Sequence, residues 1–182
     1  MPRPIELRVG DIPQLFDERD PSPLTEKDLS AGAEEFIIGW ARNLPGNEFT
    51  LRIHLSRSTG IPNEPEVIEA IHAHFSREAD ITRLRLRRLF QIGRVSLLIG
   101  LAFLAAATAL AELITARAGE STLTRLIGDS IQIGGWVAMW RPLEIFLYDW
   151  WPIRNDIRLF EGLSEAPVEI ICRQDAAGTP GR

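Results

Sequence analysis

The sequence predicts an α+β membrane protein: a two-helix transmembrane hairpin with a small cytosolic α/β domain built from both ends of the chain. Three observations lead there. From Val95 to Ala111 no residue is charged, and Arg94 and Glu112 bracket the run. The stretch from Trp136 to Pro152 holds four of the five Trp and the only Tyr, with Arg141, Glu144 and Asp149 set among large apolar residues. Ile5–Val9 and Phe49–Leu55 alternate with strand periodicity, and Val168–Cys172 near the far end reads as a third strand.

Composition alone would mislead. A mean hydropathy of −0.02 and 45% apolar residues suit an ordinary globular protein, but the apolar residues are concentrated. With Leu113 to Ala116 the first run offers about 20 residues, enough for a hydrocarbon core of roughly 30 Å. The alternative, a buried helix of a soluble fold, needs apolar partners on every side, which the rest of a 182-residue chain can hardly supply. Met1 to Gly10 has no apolar h-region, so no signal peptide is expected and the first span directs insertion. Cys172 is the only cysteine, which excludes an intramolecular disulfide and a cysteine zinc cluster. Lys27 is the only lysine. The preference for Arg reads as coding bias rather than phosphate recognition, and no nucleic-acid partner is expected.

Taken in order, Ile5–Val9 alternates apolar and charged residues with the period of a half-buried strand. Gly10 to Pro23, with three prolines and the acidic run Asp17–Asp20, reads as loop. Leu29–Leu44 repeats Ala33, Phe36, Ile37, Trp40, Ala41 and Leu44 at helical spacing, and Pro45-Gly46-Asn47 ends it. Phe49, Leu51, Ile53 and Leu55 make a second strand, closed by Ser56–Pro62. Asn63 and Glu66 form a capping box, with Pro65 tolerated in the first turn. Val67, Ile71 and Phe75 give the new helix an apolar stripe. No Gly or Pro interrupts it from Ala79 to Arg94 except Gly93, so an unbroken helix to Thr115 is expected, roughly 75 to 80 Å at 1.5 Å per residue.

The expected divisions are a cytosolic α/β part over 1–80, a basic juxtamembrane helix over 81–94 and a first span over 95–116. An outer loop at 117–125, a second span over 126–150, a cytosolic helix and strand over 151–174 and a flexible tail at 175–182 follow. Arg83, Arg85, Arg87, Arg88 and Arg94 precede the first span, and Arg154 and Arg158 follow the second. Positive charge beside a span marks its cytoplasmic end, so both termini are predicted to be cytoplasmic. A third strand from the far end joining the first two requires an even number of spans, which is the same answer. Pro142 withholds the N–H that the Ala138 carbonyl would use, so a bend is expected there.

Arg141, Glu144 and Tyr148, at spacings of three and four, form a candidate intramembrane polar face. Two readings stay open: a polar track between protomers, or a local ion pair with Arg141 snorkelling to the headgroups. Arg83, Arg87, Arg88, Arg94, Trp140, Trp150 and Trp151 are candidate membrane-interface anchors. Small residues four apart, Ser96 with Gly100 and Ala107 with Ala111, allow close helix approach. Asp129 reads as a boundary residue. His72 and His74 point about 200° apart on a helix, so no metal site is expected, and no cofactor or catalytic residue is either. No phosphate loop or nucleophile arrangement is present.

The Leu143-Glu144-Ile145-Phe146-Leu147-Tyr148-Asp149-Trp150-Trp151-Pro152 segment resembles a group of bacterial two-span membrane proteins whose second span ends in a Leu-Glu-x-Phe-Leu-Tyr-Asp-Trp-Trp-Pro pattern. Asp20-Pro21-Ser22-Pro23-Leu24 and Trp40-Ala41-Arg42 are similar to the same group. The resemblance covers most of the chain and implies the two-span topology; it carries no activity and no functional residue. The function expected is a non-enzymatic protein of the bacterial inner membrane. It would act as an oligomeric scaffold or accessory subunit through its cytosolic domain, in contact with lipids and with further copies or another membrane protein. The alternative is a small homo-oligomeric ion channel lined by the second span. A third possibility, an enzyme at the membrane surface, needs a cytosolic pocket with convergent polar groups.

Overall fold

Alternation in the sequence becomes alternation in burial along β1 (Ile5–Val9), where Ile5 and Leu7 are buried and Glu6 and Arg8 exposed. The computed structural model describes residues 4–44, 46, 49–56, 64–119 and 121–172. It is mostly helical with one three-stranded sheet. The chain divides into two units, residues 1–81 with 155–182 and residues 82–154.

In the first unit β1, β2 (Leu51–Leu55) and β3 (Val168–Cys172) are parallel and lie in that order. Parallel neighbours need a crossover connection. Helix α1 (Ala31–Asn43) supplies it between β1 and β2. Between β2 and β3 the chain passes through every later helix, which is how its two ends come to share a sheet. The predicted third strand is therefore present and paired.

One sheet face is apolar. Ile5, Leu51 and Ile53 pack in one core with Ile37 of α1, with Ile71 and Phe75 of α2 (Glu64–Ala118), and with Phe160 and Leu163 of α5 (Trp150–Ser164). The opposite face is polar apart from Ile171. Glu6, Arg52 and Glu169 lie in one row across the strands, and Arg52 Nε donates to the Glu169 carboxylate at 2.7 Å. Parallel sheets are usually covered on both faces; among the described residues this one is covered on one.

The segment expected as plain loop after β1 contributes to the core. Ile12–Leu15 forms a 3₁₀ turn, and Ile12, Leu15 and Phe16 are buried. Phe16 bridges Leu29 in antiparallel fashion. Further on, the Asp20 carboxylate accepts the N–H groups of Ser22 at 3.0 Å and Asp28 at 3.2 Å. Hydrogen bonds from the Ser22 side chain, then from the Ser22 and Asp28 backbones, hold its pKa below the usual Asp value.

His74, 3% exposed, ties this segment to α2. Its Nδ1 lies 3.4 Å from the Leu29 N–H and 3.2 Å from the Asp28 carboxylate. Arg77 donates to that carboxylate at 3.0 Å, and Nδ1 accepts from Leu29 in the tautomer that carries its proton on Nε2. His72 lies elsewhere, with Nε2 2.9 Å from the Ala166 carbonyl.

Element ends shift by a residue or two: α1 begins at Ala31 and β2 at Leu51, although Phe49 is buried as expected. The cap at Asn63, most of the Ser56–Pro62 connection, and the tail fall outside the described residues.

In the second unit α2 continues unbroken to Ala118, so the helix spans 55 residues. Its apolar window has a mean hydropathy of 2.3, is long and apolar enough to cross a membrane, and is only 17% buried. The chain reverses at Gly119, whose φ of 74° suits a residue without Cβ. Ser121 caps α3 (Thr122–Ala138) by accepting the Thr124 N–H at 3.2 Å.

Beyond this point the expected single span over 126–150 needs correction. Helix starts four residues earlier, at Thr122, and is segmented: α3, a turn at Met139, α4 (Trp140–Glu144), a π-helical turn at Ile145–Asp149, then α5. The break at Met139 falls where Pro142 leaves the helix ladder a donor short. The π turn was not expected.

Candidate functional site

Small residues recur seven apart on both helices of the second unit, at Gly93, Gly100 and Ala107 on α2 and at Gly128, Gly135 and Pro142 after the turn. A spacing of seven returns to nearly the same face of a helix. These faces meet. A methyl built on Gly93 would lie 2.8 Å from Ile145 Cγ2, and one on Gly100 would lie 3.0 Å from Met139 Sδ and 3.2 Å from the Ala138 carbonyl oxygen. One on Gly135 would lie 2.9 Å from Leu104 Cδ1 and 3.1 Å from Ala107 Cβ, whereas one on Gly134 meets nothing within 4 Å.

Each contacting pair is nearly symmetric about Gly119, so the antiparallel register persists past the turn at Met139. The carbonyl freed by Pro142 is the one that faces Gly100. Of the predicted small residues Ser96, Gly100, Ala107 and Ala111, the last three lie on this face, Ala111 opposite Gly128, and Ser96 is half-buried. Gly93, Gly128 and Gly135 complete the same seven-residue pattern and were missed.

Large apolar residues occupy the outside instead. Leu98, Leu126, Ile133 and Val137 are all more than 60% exposed. A soluble helix pair does the reverse, burying its large side chains.

The predicted polar face is only partly assembled. Arg141 Nη1 donates to Glu144 at 3.2 Å and lies 3.5 Å from the Asp149 carboxylate. Trp140 Nε1 donates to the other oxygen of Glu144 at 2.8 Å. Tyr148, expected on the same face, is 71% exposed and outside this set. The π turn explains the exchange. In an unbroken α-helix, residues eight apart sit about 80° apart around the axis, but one residue inserted by a π turn cancels most of that offset. Asp149 is thereby brought under Arg141.

The same turn frees backbone acceptors, and Trp150 Nε1 donates to the Phe146 carbonyl at 2.9 Å. Trp150 and Trp151 stack with centroids 6.1 Å apart, and the Arg154 guanidinium lies 5.7 Å from the Trp150 ring centroid. Arg83, Arg87, Arg88 and Arg94 are exposed, as are Trp140 and Trp151. Phe90 stacks on Phe146 at 6.2 Å and Gly93 meets Ile145. The Arg141 cluster is therefore level with the α2 segment beside Arg94, with Arg141 about 6 Å beyond it at 1.5 Å per residue. Asp129 lies toward the other end, next to Gly128 and so near Ala111.

No protein-family model, curated protein or solved structure matches the chain.

Proposed function

We propose that the chain is a two-span integral protein of a bacterial plasma membrane, with both termini cytoplasmic. It works without enzymatic activity, as an oligomeric scaffold or accessory subunit acting through its three-stranded domain. The observation that carries this reading is the helix pair itself: glycines at the contact seat Ile145, Met139 and Leu104 of the opposing helix, while Leu, Ile, Val and Trp stand exposed outside. In water each Å² of that outer apolar surface would cost about 25 cal/mol. In hydrocarbon the cost disappears, and small contact residues are what membrane helices use to approach closely.

The exposed arginines from Arg83 to Arg94 favour the cytoplasmic side and anionic headgroups. The likeness of the Leu143–Pro152 segment to bacterial two-span proteins supports the same location. Return of the chain from α5 into the sheet that it left at β2 is what an even number of spans requires.

The channel alternative needs a ring of copies with Arg141 and Glu144 in a central lumen. Their mutual pairing, within about 6 Å of the level of Arg94 by the 1.5 Å helical rise, fits side chains anchored at the headgroups better than a constriction at mid-depth. The reading is tested by ion flux in liposomes holding the full chain. Wild type and the R141A/E144A variant are both expected to match protein-free vesicles. A selective wild-type flux that the variant loses would overturn the scaffold in favour of the channel.

A further inference from the structure

The open edge of β1 carries a self-complementary pattern. The Ile5 N–H donates to Thr50 at 2.8 Å and the Val9 carbonyl accepts from Ser56 at 3.0 Å. Odd-numbered residues of β1 therefore bond inward to β2, and the backbone groups of Glu6 and Arg8 point outward along the edge. The edge is closed at both ends. Pro4 has no N–H to offer, and the Gly10 N–H is taken by Gln14 Oε1 at 3.1 Å. Among the described residues, the N–H groups that remain open along the strand are those of Glu6 and Arg8, flanking Leu7.

We propose that two copies of this chain join antiparallel through β1, with the two-fold axis at Leu7, making one six-stranded sheet. In that register Glu6 lies opposite Arg8 of the second copy, and Arg8 opposite Glu6. Residues directly opposite in a hydrogen-bonded antiparallel pair exchange both N–H···O bonds, so the two pairs use all four outward N–H groups and carbonyls. Opposite charges facing across strands stabilise such a pairing and like charges oppose it.

The charge order also extends the row already present. Glu169, Arg52 and Glu6 alternate in sign across the sheet, and Arg8 of the second copy continues the alternation. An edge carrying charges of one sign would repel its own copy, which is a common protection against edge pairing. Here the signs favour the second copy. A groove of about 820 Å³ runs beside the edge, bounded on α1 by Phe36 and Trp40, which are 38% and 53% exposed. It leaves room for an incoming strand.

The inference deepens the scaffold reading and rests on it, by naming the partner as the chain itself. The test is a charge swap on the full chain in detergent micelles, with the stoichiometry read by light scattering after size exclusion. E6R carries two arginines on the edge and R8E two glutamates, and each alone is expected to shift from dimer to monomer at least tenfold in dissociation constant. An equimolar mixture of the two is expected to recover a heterodimer, and the double variant E6R/R8E a homodimer, which a chain that failed to fold could not do.

In a Cys172→Ser background, E6C mixed with R8C is expected to form a disulfide, since the paired Cα atoms would lie about 5.5 Å apart. Dimers indifferent to both single swaps, or singles that neither mixture nor double swap rescues, would overturn the edge pairing and leave the scaffold standing. A wild-type chain that is monomeric at membrane concentrations would remove self-association as a whole.

Discussion

Replacing Gly135 by Leu is expected to force the two helices of residues 82–154 apart. A single methyl at this position would already lie 2.9 Å from Leu104 and 3.1 Å from Ala107, so a larger side chain has no room without moving the opposing helix. Overpacking of this kind costs roughly 1–3 kcal/mol. The neighbouring Gly134→Leu serves as the control, because its Cβ position meets nothing within 4 Å. It is expected to stay within about 0.5 kcal/mol of wild type, as substitutions away from packed features do. Thermal unfolding of the full chain in micelles distinguishes them. Equal losses for the two variants would mean that the glycine contact face is not where the helices meet.

The second large effect is expected at His74. His74→Ala leaves the Leu29 N–H without its Nδ1 partner and opens space beside Phe75, whose ring centroid is 5.3 Å from the imidazole. An orphaned buried donor together with a cavity is expected to cost about 2–4 kcal/mol. His74→Asn, which keeps a side-chain acceptor, is expected to recover part of this. Asp28→Asn, at a residue whose side chain is 63% exposed, is expected to cost less than about 1 kcal/mol. Urea unfolding followed on the first unit should give that order. An Asp28 loss equal to that of His74 would show that the ion pair, rather than the bond from the Leu29 N–H to His74, holds the segment.

Much of the fold was legible because its signals are local and periodic. Alternation gives β1 and β2 within two residues at each end, and a helix with no proline after its first turn gives the length of α2. Gly10–Pro23 was read as plain loop because its prolines and acidic run dominate, yet Ile12, Leu15 and Phe16 stand at spacings of three and four and are buried. Strand direction could not be read from period two, which is the same for parallel and antiparallel pairing.

The site was legible in part for a related reason. Arg141 and Glu144 stand three apart within one turn of α-helix and were paired correctly. Asp149 replaced Tyr148 because a π turn inserts a residue, and nothing in the spacing announces one. The contact face is half visible: small residues four apart are Ser96, Gly100, Ala107 and Ala111, of which the last three lie at the contact, whereas the interval that runs along it is seven. Gly93, Gly128 and Gly135 lie on that interval.

The central claim is that residues 82–154 cross a bilayer twice and return the chain to the side from which it left. Its most direct test labels both ends of one full-length chain in intact inner-membrane vesicles, using cysteines placed at the N-terminus and after β3 in a Cys172→Ser background and a reagent that cannot cross lipid. Both ends are expected to react on the cytoplasmic face, while a cysteine at position 120 reacts only on the opposite face. Ends that label on opposite faces, or a chain that sediments as a detergent-free soluble species, would contradict it.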